Sequence, residues 1–118
     1  MALSKEDDIK MAIHREFEFI NDSKNRPKYH TLFEFIGVLF AEYQESKDEL
    51  INVRNDIDIL WNKIRTHDFI KDEDISRIYD DTFDYIMELV QVAAVVRKMI
   101  ETRKAAEIMS MNEEVKKI

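Results

Sequence analysis

Residues 39–64 read LFAEYQESKDELINVRNDIDILWNKI, and the reading of this stretch decides the fold. Leu39, Tyr43, Ser46, Leu50, Val53, Ile57, Leu60 and Ile64 alternate four and three apart. That is the period of one face of an α-helix, and only Ser46 interrupts its apolar character. Thr31 and Glu34, in TLFE, form a capping box ahead of it, so a helix is expected from there to about Arg65. A kink near residues 52–56 is compatible with the pattern.

The same pattern continues on either side. Upstream, Ser4 and Asp7 resemble a capping box, and Ile9, Ile13, Phe17 and Ile20 recur at helical spacing. A first helix is expected over residues 4–21. NDSKNRPKYH, residues 21–30, is polar, holds the only proline and reads as a loop. Downstream, THDFIKDED is a break, and Asp72 or Asp74 is placed to cap a third helix. Ile75, Tyr79, Phe83, Ile86, Val90 and Ala93 give that helix a buried face, and it is expected to reach about Ser110. Residues 89–96 are apolar nearly all round, which suits a bundle centre or a subunit interface. The tail MNEEVKKI reads as a short fourth helix or a frayed end.

No strand signal accompanies these helices. The expected fold is all-α: a single domain over residues 1–118, a bundle of three to four helices with two long antiparallel ones. The two look too long for a 118-residue monomer to cover, so an oligomer formed through the third helix is expected.

Composition narrows the function. The net charge of −7 argues against a basic face for nucleic acid and against binding to an anionic membrane. A nucleotide substrate stays open, because a metal ion can bridge acidic side chains to phosphates. Without cysteine there is neither a disulfide scaffold nor a thiolate metal site. One glycine, Gly37, cannot build a phosphate-cradling loop. No apolar run reaches the ~18 residues of a spanning helix. The start, MALSKEDDIK, is unlike a signal peptide, so a cytoplasmic protein is expected.

Acidic side chains form two stripes. Glu42, Glu45 and Glu49 fall within about 60° of one another at ~100° per residue, beside the apolar stripe. Asp81, Asp84, Glu88 and Gln91 form a second stripe on the third helix. If the helices pack antiparallel, the stripes face each other. Mg²⁺ takes oxygen ligands at ~2.1 Å and keeps waters for a phosphate-bearing substrate. Carboxylates on facing helices can supply such a site. In an acidic chain, runs of this kind are more often solvated faces. Two features favour the metal reading: the carboxylates border apolar stripes, and Glu88 adjoins the most apolar segment.

The segment HTLFEFIGVLFAEYQESKDEL resembles the first metal helix of the MazG-like, all-α nucleoside triphosphate pyrophosphohydrolases, and ELVQVAAVVRKMIE resembles the second. The family pattern in the first helix is a pair of glutamates, two residues, then another glutamate. Here Ala41 stands in place of the first glutamate, ahead of Glu42 and Glu45. The second helix carries Glu-x-x-Asp in the family and Glu88-Leu-Val-Gln91 here. The 42 residues between Glu45 and Glu88 exceed the usual spacing, as if both helices were extended. The resemblance covers about residues 26–101. It implies Mg²⁺-dependent (or Mn²⁺-dependent) cleavage of a nucleoside triphosphate to monophosphate and pyrophosphate, in a homodimer or homotetramer. It makes Glu42, Glu45 and Glu88 metal ligands and Gln91 a neutral ligand or a residue behind the ligands. Glu49 and Asp84, one turn beyond, are candidates to replace a lost ligand or to act as base for the water. Lys98 continues the Glu88–Gln91 stripe and is a candidate for the phosphates.

Other residues carry weaker signals. His14, His30 and His67 show no metal-ligand spacing. Trp61 suits packing better than base stacking, and Arg26 and Lys28 resemble ordinary loop cations. Two further readings stand beside the enzyme. In one, the bundle binds a nucleotide or a protein without turnover, because Ala41 and Gln91 each remove a ligand charge. In the other, the long stripe binds partner helices, and polar substitution at Leu50 or Ile57 abolishes function.

Overall fold

Ser4 starts the first helix as its spacing predicts. Its Oγ accepts the Asp7 backbone N–H at 3.1 Å, and its hydroxyl donates to the Asp7 carboxylate at 2.9 Å. Helix α1 spans Lys5–Asp22, with Glu6, Asp7 and Asp8 at its positive end. The computed structural model describes residues 4–22 and 32–116, with side chains for residues 4–21 and 32–106. The Thr31 cap, most of the 21–30 loop with Arg26, Lys28 and His30, and the side chains of Met109 and Met111 lie outside the described residues.

Helix α2 spans Leu32–Arg65 and runs unbroken through residues 52–56. Its C-terminus is a Schellman motif: His67 N–H donates to Ile64 C=O at 3.3 Å, and Asp68 N–H to Lys63 C=O at 2.9 Å. His67 takes the left-handed position, φ 55°. Helix α3 spans Asp72–Lys116, so residues 111–116 of the tail continue this helix instead of forming a fourth. Asp74, in its first turn, takes the capping role: its Oδ2 accepts the Lys71 backbone N–H at 2.9 Å. The fold is all-α, with three helices and no strand among the described residues. No helix among them is long and apolar enough to cross a membrane.

The helices form two compact units. The first combines Met1–Phe40 with Val90–Ile118. Ile20, Ala94 and Val95 are its buried cluster, with Phe17, Phe35 and Leu39 packed against them. The apolar segment of α3 is therefore covered on one side by α1 and the start of α2. Arg97 stacks over Phe17, 4.3 Å from the ring centroid, and hydrogen-bonds His14 at 2.9 Å. Lys98 is buried and donates to the Ile20 carbonyl at 3.4 Å. It supplies a cation to the last turn of α1, which has no basic residue of its own.

The second unit, Ala41–Leu89, is an antiparallel helical hairpin. Lys63 and Asp74 form an ion pair at 2.9 Å near the turn, and Asp56 hydrogen-bonds Asp81 seven residues further down each helix. A further seven residues on, the charge of Glu49 acts on Glu88. Charged residues thus meet across the hairpin at every heptad. The seam between the helices is lined from α2 by Glu42, Ser46, Glu49, Val53, Asp56, Leu60 and Lys63, and from α3 by Asp74, Ile78, Asp81, Tyr85 and Glu88, all buried or half-buried.

The predicted apolar faces are covered only in part: Ser46, Val53 and Leu60 of the α2 stripe line the seam, and Val90 and Ala93 of the α3 stripe are buried or half-buried. Leu50, Ile57 and Ile64 stay 46–49% exposed, and Ile75, Tyr79, Phe83 and Ile86 are 49–73% exposed. None of the buried apolar side chains belongs to this unit. The charged heptad positions lie one residue before the apolar ones, so a turn of about 100° exchanges the two faces. In the single chain the charged face takes the seam, where its ion pair and hydrogen bonds form.

Candidate metal centre

Three carboxylates converge in the hairpin. Each of Glu42, Glu45 and Glu88 offers an oxygen within 4.8 Å of the other two. Glu42 and Glu45 share a face because they are one turn apart on α2, and antiparallel pairing brings Glu88 of α3 opposite them. Glu42 and Glu88 are half-buried, and Glu45 is exposed. The sequence-level pairing of the two stripes is therefore realised at these three residues.

The electrostatics are strained. Glu88 is pushed up to about 7, first by burial, then by the charges of Glu45 and Glu42, a hydrogen bond with Glu45, and the charge of Glu49. Glu88 Oε2 is buried with no hydrogen-bond partner. A buried, orphaned carboxylate oxygen among like charges is a costly arrangement that a cation relieves. An octahedral Mg²⁺ spaces neighbouring ligand oxygens by ~3 Å and opposite ones by ~4 Å, so small side-chain rotations close this cluster on an ion. An all-oxygen donor set also suits Mg²⁺ or Mn²⁺ better than Zn²⁺. The residues fit a hard divalent cation.

The remaining candidates divide. Glu49 is half-buried and acts electrostatically on Glu88. Asp84 is exposed and outside the three-carboxylate cluster. Gln91 is half-buried on α3, in the first unit. Lys98, read as a candidate for phosphate, is a buried lysine of that unit, bonded to the Ile20 carbonyl.

Sequence reasoning did not single out Asp56. It is buried, its Oδ2 lacks a hydrogen-bond partner, and burial is the main cause that raises its pKa. The hydrogen bond and charge of Asp81 push the same way, against the charge of Arg77. The heptad series 49, 56, 63 on α2 and 74, 81, 88 on α3 was the signal that could have found it.

Comparison of the chain with protein-family models, with curated proteins and with solved structures finds no match.

Proposed function

We propose that the Ala41–Leu89 hairpin is the metal-binding half of a nucleoside triphosphate pyrophosphohydrolase. The observation that carries this reading is the convergence of Glu42, Glu45 and Glu88 around the orphaned Oε2 of Glu88. The resemblance of both metal helices to the MazG-like enzymes supports the substrate class. The reaction is attack of water on a nucleoside triphosphate, giving the monophosphate and pyrophosphate.

Glu42, Glu45 and Glu88 would hold Mg²⁺ or Mn²⁺. When bound, such an ion orients phosphoryl oxygens and lowers the pKa of the attacking water. Glu49, half-buried beside these ligands, is the residue to accept the proton of that water. Asp84, more exposed, is the weaker candidate for the base. Gln91 and Lys98 belong to the other unit and are given no role at the metal, so the site works with fewer charges than the family pattern. A nucleotide-binding bundle without turnover is the second reading, favoured by the missing carboxylates at Ala41 and Gln91.

The test is pyrophosphate release from a panel of ribo- and deoxyribonucleoside triphosphates with Mg²⁺ or Mn²⁺, beside Glu45→Gln and Glu88→Gln. Metal-dependent turnover lost in both variants establishes the enzyme. Nucleotide binding without release of pyrophosphate selects the second reading. Turnover unaffected by both substitutions removes these residues from the site.

A further inference from the structure

On α1, a stripe of mostly charged residues runs beside the face that carries Ile13, Phe17 and Ile20 inward. It consists of Asp7, Lys10, Met11, His14 and Arg15, whose three- and four-residue spacing puts them on one side of the helix. Arg97 of α3 reaches the same side, and these six residues line an open cavity of about 480 Å³. All of them belong to the first unit.

Arg97 is held at this cavity by contacts that leave its charge unpaired. Its guanidinium lies over Phe17, 4.3 Å from the ring centroid, and its Nη1 donates to His14 Nδ1 at 2.9 Å. Arginine has no acceptor, so Nδ1 accepts and the imidazole hydrogen sits on Nε2, 2.9 Å from Glu18 Oε1. Glu18 thus orients the imidazole, and the imidazole orients Arg97. Among the described residues, neither Arg97 nor Arg15 pairs with a carboxylate. Lys10 pairs with Glu6 at 3.0 Å, but both side chains are at least two-thirds exposed, so the pair adds little and leaves the ammonium available. The lining therefore sets three permanent cations, Lys10, Arg15 and Arg97, against one carboxylate, Asp7, a surplus of two. In a chain with 25 acidic and 18 basic residues, this reverses the general balance. At ~0.15 M salt, charges act over ~8 Å, so the local surplus outweighs the net charge of the chain.

We propose that this cavity binds a small organic phosphate monoester, with its phosphate on Arg97, Arg15 and Lys10 and its carbon body against Met11. The proposal is independent of the metal reading and uses none of its residues. A surplus of two charges matches a monoester, which is a dianion above its second pKa of ~6. The fixed guanidinium offers a planar fork to two phosphate oxygens. The volume lies in the range of about 300–1,000 Å³ usual for small-molecule sites, so a carbon body is accommodated beside the phosphate. Met11, 41% exposed, and the methylene stems of Lys10 and Arg15 give that body apolar surface.

Phenyl phosphate is the probe, titrated into the full chain at pH 7.5 with EDTA, so that no metal carries the phosphate. Calorimetry should give a dissociation constant of about 1 mM or below. Arg97→Gln should weaken binding by about 10-fold or more, and Arg15→Gln by about threefold, as charge-assisted hydrogen bonds are lost. Benzoate, with the same ring and a single charge, should bind about tenfold more weakly. No binding at about 10 mM phenyl phosphate overturns the proposal, as does binding unchanged in both variants. Equal affinity for benzoate overturns the assignment to a phosphate. Because Arg97→Gln also removes the contact with Phe17, NMR of the native chain provides a second reading. The Arg97 Nε–H and His14 imidazole signals should shift on titration, and those of His67, in the other unit, should not. Shifts that bypass Arg97 and His14 place the ligand elsewhere and overturn the site.

Discussion

His67 shows how one residue closes the hairpin. It occupies the left-handed position of the α2 cap at φ 55°, where Schellman motifs usually carry glycine. A non-glycine side chain costs roughly 1 kcal/mol there. His67→Gly should therefore raise the stability of the chain by about 1 kcal/mol, read from the urea midpoint at unchanged m-value. A drop in stability would mean that the imidazole makes a contact worth more than the strain. Local chemistry of this kind is only partly legible in sequence. Ser4 with Asp7 announces its cap because both partners lie within one turn, and the predicted hydrogen bonds are present. His67 gives no such signal, since its backbone conformation follows from the two hydrogen bonds that end the helix. Asp74 lies between these cases. Its capping role is local and was one of two alternatives, but its ion pair with Lys63 depends on the hairpin register.

Among the elements, α2 was predicted to end at Arg65 and does. Its length was legible because the four-three spacing persists without proline or glycine over residues 39–64. Its buried face was legible only in part: Ser46, Val53 and Leu60 line the seam as the stripe predicts, and Leu50, Ile57 and Ile64 do not. The charged series 49, 56, 63 and the apolar series 50, 57, 64 have the same period and differ by one residue. Periodicity measures the repeat of a face but cannot say which of two adjacent faces meets a neighbour within the chain. Only the contacts across to Asp74 and Asp81 decide that. The convergence of Glu42, Glu45 and Glu88 was legible for a related reason, because it needs only helical spacing and antiparallel pairing. Gly37 offers a direct test of helix energetics in α2. A Cβ built there meets no atom within 4 Å, and the glycine has no positive φ. Gly37→Ala should stabilise the chain by about 0.5–1 kcal/mol, through higher helix propensity and a less flexible unfolded state. That corresponds to a rise of roughly 3–6 °C in Tm for a domain of this size. A lower Tm would show that the space beside Gly37 is used in solution.

For the molecule as a whole, the distribution of charge sets how stability responds to pH and to cations. Glu88 has an ordinary value of 4.5 and a folded value of about 7, so folding favours its protonated form. Below about 4.5 the group is protonated in both states and costs nothing. Its cost grows as pH rises from there to about 7, and above that reaches at most about 3 kcal/mol. Asp56, also raised, acts in the same direction. Asp74 acts in the opposite one: Lys63 and the Lys71 N–H hold it below its ordinary value of 3.8, so its contribution is present above that value and lost as pH falls through the folded one. Stability of the cation-free chain should therefore rise as pH falls from 8 to about 5 and decline again below about 4. A divalent cation bound by Glu42, Glu45 and Glu88 competes with the proton on Glu88. Mg²⁺ at tenfold its dissociation constant should add about 1.4 kcal/mol at pH 7.5 and far less at pH 5. Glu88→Gln should flatten the rise between pH 8 and 5 and remove the Mg²⁺ increment. Denaturant melts at both pH values, with and without Mg²⁺, measure all of this in one set. An increment that survives Glu88→Gln would place the cation elsewhere in the acidic hairpin. A flat profile in the native chain would mean that solvent or a neighbouring charge relieves Glu88 without a metal.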